Sequence, residues 1–194
     1  MSEHGTARLH VGDLLVATPA LLDPNFERTV VLMLDLDDSG ALGVVLNRPS
    51  TVPVREVLPD WTDLAGEPDV LFQGGPVSTD SALAVGAASV LGPEPDVEPV
   101  GFRRLYGDVG IVDLDTPTEI VAPALTGMRI FAGYAGWGEE QLAGEIQEGS
   151  WFVVPSEPGD LFGRDPLGLW RRVLRRQPGE LAWHSTRPMD PELN

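Results

Sequence analysis

Short apolar runs bounded by turn residues recur along the chain, a pattern that favours strands over long helices. Residues 12–17 (GDLLVA) form the first such run. Residues 18–28 (TPALLDPNFER) carry two prolines and an Asp-Pro-Asn turn signal, which predicts a loop anchored by Leu21, Leu22 and Phe26. Residues 29–34 and 41–46 are rich in β-branched side chains. They are joined by Asp35-Leu36-Asp37-Asp38-Ser39-Gly40, a connection of hairpin length that ends in glycine. Further on, 54–58 and 61–65 predict short helical turns, and 70–73 predicts a strand running into Gly74-Gly75-Pro76-Val77. Residues 81–87 fit strand and helix equally, whereas 104–114 predict a strand pair around Gly107-Asp108.

The second half mixes the two kinds of element. Residues 117–125 begin with a proline in an acidic first turn and stop before Gly127, which predicts a helix. A strand follows at 128–133, and then a helix over 137–148 with Leu142 and Ile146 one turn apart. Another strand is predicted at 151–154, and a last helix opens at Asp165-Pro166 and runs to about Arg176. No solenoid period is present. Hairpins combined with strand–helix–strand passages predict an α+β fold rather than a regular doubly wound sheet. The stretch 91–99 (LGPEPDVEP), with three prolines, predicts a mobile surface loop.

A length of 194 residues fits one domain over 1–194, with a loose lead-in at 1–10 and a tail at 177–194. Charge narrows the functions open to it. Thirteen basic residues, all arginine, stand against thirty acidic ones, for a net charge of −17. That balance disfavours a nucleic-acid coat or an anionic-membrane binder. From Glu56 to Met128, thirteen carboxylates face two arginines, a local balance of −11. With no cysteine, disulfides, thiolate nucleophiles and cysteine-ligated metals are excluded. With no lysine, the Walker A loop, a Schiff base and a lysine general base are excluded as well. Neither a signal-peptide pattern nor a long uninterrupted apolar run occurs, so a soluble cytoplasmic protein is expected.

Candidate chemistry is sparse. Asp35-x-Asp37-x-Ser39-Gly40 matches the opening of a calcium loop, but the position for a bidentate carboxylate holds Leu46, so a hairpin turn is the better reading. His4, His10 and His184 lack the spacing of a helical metal pair, and no Gly-x-Ser-x-Gly elbow exists. Gly133-Tyr134-Ala135-Gly136-Trp137-Gly138 lies between a predicted strand and a predicted helix, where phosphate-binding turns occur. Glu139 and Glu140 in the expected first helical turn would repel a phosphate there, which leaves Tyr134 and Trp137 as an aromatic wall for an uncharged or cationic ligand. On the last helix, Leu167, Leu169, Trp170, Val173 and Leu174 share one half, and Arg171, Arg172, Arg175 and Arg176 share the other. This basic face is either a nucleic-acid contact or a solvated surface paired with the acidic body.

Four motifs in order, GDLLVATPALLDPNFERTVVLML…GALGVVLNRP, FQGGPV, GYAGW and QLAGEI, resemble the YqgE/AlgH family of bacterial proteins. The resemblance runs from Gly12 to about Arg176 and implies a single compact domain whose mixed sheet bends towards a barrel, flanked by a few helices. It implies a transcriptional-regulator label without a mechanism, and no cofactor. The motif positions here are Asp23, Phe26, Arg28, Asn47, Arg48, Pro49, Gly74, Gly75, Pro76, Gly133, Tyr134, Gly136, Trp137, Gln141 and Glu145. Asp35-Leu36 and Ala84-Val85 stand where family members commonly carry a histidine.

Each motif is a polar or glycine-rich turn after a predicted strand. Asn47, Arg48, Gly74, Gly75, Tyr134, Trp137 and Gln141 are therefore expected either to line one shared groove or to lock the turns together. Three functions follow from the sequence. The first is a non-catalytic binding or regulatory module for an unidentified small molecule or protein. The others are an enzyme built on a carboxylate and Arg48, and direct DNA binding through the arginine-rich helix. No metal, cofactor or membrane is called for.

Overall fold

The computed structural model describes residues 8–89 and 97–186. His4, most of the lead-in, most of the proline-rich stretch 91–99 and the end of the tail lie outside them. Among the described residues ten strands form one sheet: β1 (Asp13–Ala17), β2 (Val30–Asp37), β3 (Gly40–Val45), β4 (Pro49–Pro53), β5 (Val70–Gln73), β6 (Val77–Ala88), β7 (Phe102–Tyr106), β8 (Val109–Val112), β9 (Leu125–Gly138) and β10 (Trp151–Pro155). Among the described residues six short helices flank it: α1 (Val54–Val57), α2 (Thr118–Val121), α3 (Gln141–Gln147), α4 (Pro158–Phe162), α5 (Leu169–Arg175) and α6 (Leu181–His184). The main order is β10-β1-β2-β3-β9-β6-β8-β7, antiparallel throughout, with a β4–β5 pair added by a parallel contact of β5 to β9.

The sheet curls into an open half-barrel. Tyr106 at the end of edge strand β7 shares a hydrogen bond with Ser156, just past the other edge strand, β10. Its ring covers Gly12, whose φ of +92° and open α-carbon accept it, since a Cβ there would lie 2.8 Å from the ring. Burial of this seam pushes the Tyr106 hydroxyl pKa up to about 12.

Both faces of the central strands are covered. Leu14–Ala17 and Val30–Leu34 are buried without alternation, because the inner face packs on α5 and the outer face on α3 and the loop 18–28. Inside, Leu14, Val16, Leu32 and Phe131 meet Trp170, Val173 and Leu174. Outside, Leu15, Val31 and Met33 meet Trp137, Leu142 and Trp151. A third cluster, with Trp61, Met128 and Ile130, lies under α1, α2 and the 3-10 turn Pro59–Leu64.

At β9 the chain crosses over itself. Phe131 pairs with Phe72 of β5 on one edge of β9 and with Leu83 of β6 on the other. Residues 74–76 therefore pass over the β9 backbone to reach β6. Three glycines make this contact physically possible. A Cβ on Gly74 would sit 2.2 Å from the Gly133 carbonyl oxygen, one on Gly75 2.2 Å from the Tyr134 carbonyl, and one on Gly133 2.7 Å from the Gly75 carbonyl oxygen. Gly74 N–H also donates to Ala132 O, and Val45 N–H to Gly74 O, both at 2.9 Å, which ties β3 into the crossing.

The sequence expectations need correction at several places. The ambiguous 81–87 is strand β6. The strand expected at 128–133 continues to Gly138, so Tyr134 and Trp137 are strand residues, and the helix expected from 137 begins only at Gln141. β3 supplies the reason, since it pairs with β9 from Ala135 to Gly138 and holds those glycines extended. The helix expected over 117–125 is one α-turn followed by a 3-10 turn, because Pro123 has no N–H for a longer ladder. The helix expected from 165 starts at Leu169, and it is not the last, since α6 follows it in the expected tail. Asp165 first forms a turn by accepting from Gly168 N–H at 3.1 Å, which leaves Leu167 75% exposed instead of on the apolar face. Leu22 is likewise 72% exposed, since a turn from Thr18 to Leu21 sends only Leu21 and Phe26 towards the core.

One buried cation went unmarked by the sequence analysis. Arg129, in the middle of β9, is 2% exposed. Its guanidinium lies 4.2 Å from the Phe72 ring centroid and donates to the carbonyls of Leu161 at 2.5 Å, Glu67 at 3.1 Å and Gly163 at 3.2 Å. Burial pulls its pKa down to about 10, and its Nε has no hydrogen-bond partner. Arg129 thus ties the end of α4 and the approach to β5 onto the central strand with carbonyl dipoles in place of a carboxylate. Arg129→Ala orphans three carbonyls at about 1–3 kcal/mol for each one left buried. Denaturant unfolding is expected to show a loss of about 3 kcal/mol or more, and a loss under about 1 kcal/mol would show that the carbonyls find other donors.

Candidate functional site

A cavity of about 380 Å³ opens where the Asn47-Arg48-Pro49 corner meets the Gly74-Gly75-Pro76 crossing. Arg48 and Gly75 line it, together with the polar residues Asn25, Ser50, Gln73 and Thr79 and the apolar residues Val45, Val52, Leu71 and Pro76. The corner is fixed by backbone bonds. Asn47 is buried, with its side-chain oxygen accepting from Val30 N–H at 2.9 Å and its amide donating to Arg28 O at 2.8 Å. Gln73 N–H donates to Arg48 O at 2.8 Å, which sets the arginine beside the crossing.

The Arg48 side chain is positioned as well. It donates to Asn25 O at 2.7 Å and to Glu27 O at 3.2 Å, and the guanidinium keeps further N–H donors beyond these two. Burial pulls its pKa below the ordinary arginine value, while the charges of Glu27 and Asp23 oppose that shift. A cation oriented in this way can bind a carboxylate or phosphate without reorganising.

Of the seven residues expected at one groove, Arg48 and Gly75 line this cavity, while Asn47 is buried behind the corner and Gly74 and the Tyr134 backbone belong to the crossing. The Tyr134 ring, however, turns inward to the core that includes Phe131 and Trp170, whereas Trp137 packs on the outer face. The two aromatics therefore do not form a common wall. Trp137 and Gln141 belong to a separate cluster around Glu145. The Glu145 carboxylate accepts from the Trp137 indole at 3.0 Å, the Trp151 indole at 2.9 Å and the Gln141 amide at 3.0 Å. Phe26 stacks on Trp137 with centroids 5.9 Å apart and meets Trp151 edge-on at 5.5 Å. The loop 18–28 joins the two assemblies, since Asn25 and Glu27 hold Arg48 while Phe26 between them fills the aromatic cluster.

The arginine-rich helix is largely engaged within the molecule. Arg176 forms 2.6 Å bonds to both oxygens of the buried Asp160 carboxylate, which hold its pKa above the ordinary value. Arg172 bonds the Asp165 carboxylate at 2.9 Å, and Arg171 donates to Ser185 O at 3.2 Å; Arg175 is exposed. In the calcium-like loop, the Asp37 carboxylate accepts from Ser39 N–H at 2.7 Å, from the Ser39 hydroxyl and from Gly40 N–H at 3.1 Å, so it closes the hairpin turn. These bonds hold its pKa below the usual carboxylate range. His10 pairs with Asp13 and His184 stacks on Phe152. Among the described residues, no cluster of three metal-binding side chains occurs and no helix is long and apolar enough to cross a membrane.

A curled open sheet whose loop crosses its own central strand over stacked glycines defines the structural class. The chain belongs to the AlgH-like family, whose model matches residues 14–182. It is 61% identical over 183 residues to a UPF0301 protein of Streptomyces coelicolor, covering 94% of each chain. To a UPF0301 protein of Thermobifida fusca it is 50% identical over 192 residues, again with 94% of each covered. Two solved structures share the fold. A crystal structure of a Corynebacterium diphtheriae protein matches with a TM-score of 0.86 at 34% identity, over 93% of both chains. The solution structure of the AlgH protein from Pseudomonas aeruginosa matches with a TM-score of 0.66 at 26% identity, over 98% of this chain and 100% of that one.

The site depends on the crossing, and a matched pair of substitutions tests this. Gly75→Ala forces a methyl group into the Tyr134 backbone and is expected to lose about 3 kcal/mol or more in unfolding experiments. Gly144→Ala, in α3 with open space around it, is expected to gain about 0.5–1 kcal/mol. Equal stabilities for the two variants would contradict the crossing.

Proposed function

We propose that the protein is a non-catalytic binding module of the regulatory type, and that its Arg48 cavity takes a small ligand with one carboxylate or phosphate group and an apolar remainder. The observation behind this reading is the Arg48 guanidinium, held by two loop carbonyls at the wall of a 380 Å³ cavity with Ser50, Gln73 and Thr79 beside it. That volume lies within the range of small-molecule sites, about 300–1,000 Å³. A polyanion fits poorly, because the molecule carries a net charge of −17. A single anionic group against one arginine, with its remainder on Val45, Val52 and Leu71, suits both the charge and the wall.

Thermal unfolding across a panel of monocarboxylates and phosphomonoesters tests the reading. A true ligand at about a hundred times its Kd stabilises the folded state by about 2.7 kcal/mol, a shift of several degrees. The shift is expected to vanish in Arg48→Ala and in Thr79→Trp, which fills the cavity without touching the Arg48 bonds. No stabilising compound, or the same shift in both variants, would refute it.

A further inference from the structure

A second and larger cavity, about 1130 Å³, opens between the tip of the β2–β3 hairpin, α3, β10 and Leu181 of α6. Its floor is apolar. Leu36, Ala41, Ile146, Phe152 and Val153 are only half-buried there, around a buried Leu142. Leu36, Ala41, Ile146 and Val153 pack on the core from its outer side, whereas Phe152 packs on the inner cluster. The rim is anionic. Asp37 and Asp38 stand on the hairpin turn and Glu139 and Glu140 on the link into α3, all four exposed, against one arginine of the wall, Arg8.

Three properties select the occupant. At about 1130 Å³ the trough is large enough to take a stretch of polypeptide. The apolar floor calls for a row of apolar side chains, since exposed surface of this kind marks interaction sites. The four rim carboxylates call for cations at its borders, and the −17 charge of the chain steers basic partners towards it. We propose that this trough docks a basic amphipathic segment of a partner protein, with apolar side chains on Leu36, Ile146 and Val153 and Lys or Arg side chains against Asp37, Asp38, Glu139 and Glu140. The site shares no residue with the Arg48 cavity, so either can fail without the other.

Fluorescence anisotropy with a short labelled amphipathic peptide of leucine and lysine tests the docking. The full chain is compared with two variants. Asp38→Asn/Glu139→Gln/Glu140→Gln neutralises the rim and spares Asp37, which the hairpin turn needs. Ala143→Trp fills the trough from an exposed α3 position and leaves every charge in place. Saturable binding is expected at low salt, weakened about tenfold in the neutralised rim and at least as much in Ala143→Trp. The same peptide with glutamate in place of lysine should not bind. Absence of saturable binding, equal binding of the glutamate peptide, or binding unchanged by Ala143→Trp would overturn the proposal. Sedimentation supplies the remaining arm: self-association of the chain abolished by Ala143→Trp would assign the trough to a second copy, and also overturn it.

Discussion

The direct contact of two backbones at Gly74, Gly75 and Gly133 is the constraint from which the rest of the structure follows. A loop that passes over a strand at this range leaves no room for a β-carbon on any of the three. Because the contact forms, β5 and β6 take opposite edges of β9, and β3 takes over the edge that β5 leaves. The same contact carries Gln73 to the crossing, and with it Arg48, whose carbonyl receives the Gln73 N–H. The cavity is thus a by-product of how the sheet is threaded.

Electrostatics divide the molecule into buried polar locks and charged openings. Arg129 is solvated by carbonyl dipoles and Glu145 by two indoles and an amide, and Arg176 is paired with the buried Asp160. Each satisfies most of its hydrogen-bonding capacity internally, as burial requires. The charges left facing solvent-filled space are different. Arg48 faces a small cavity with a largely apolar wall, and the carboxylates of the hairpin turn and the α3 link face an apolar trough. The loop 18–28 is the physical link from the first opening towards the second, because Asn25 and Glu27 hold Arg48 while Phe26 packs on Trp137 and Trp151 beside α3.

Local signals in the sequence carried much of the fold. The β2–β3 hairpin was legible because two β-branched runs flank an Asp-Ser-Gly turn whose bonds are all local. The strands at 70–73 and 151–154 were legible from short apolar runs between turn signals, as was the α+β class. The extension of β9 through Gly138 was not, because glycine-rich residues resemble a turn until the pairing with β3, nearly a hundred positions away in the chain, is known. The family motifs drew attention to Asn47, Arg48, Gly74 and Gly75, which lie at the corner and at the crossing. Spacing alone did not separate them from Trp137 and Gln141, which serve Glu145. Arg129 had one visible signal, a lone cation inside the apolar run Met128–Phe131, but its three carbonyl partners lie on other segments.

The most direct check on the Arg48 assignment is a crystal structure of protein purified gently enough to retain whatever it carries from the cell. The account predicts electron density for a small anionic molecule within hydrogen-bonding distance of the Arg48 guanidinium, with Gly75 still seated on the Tyr134 backbone. A guanidinium swung out to solvent, away from Asn25 and Glu27, with the glycine pair lifted off the central strand, would contradict it.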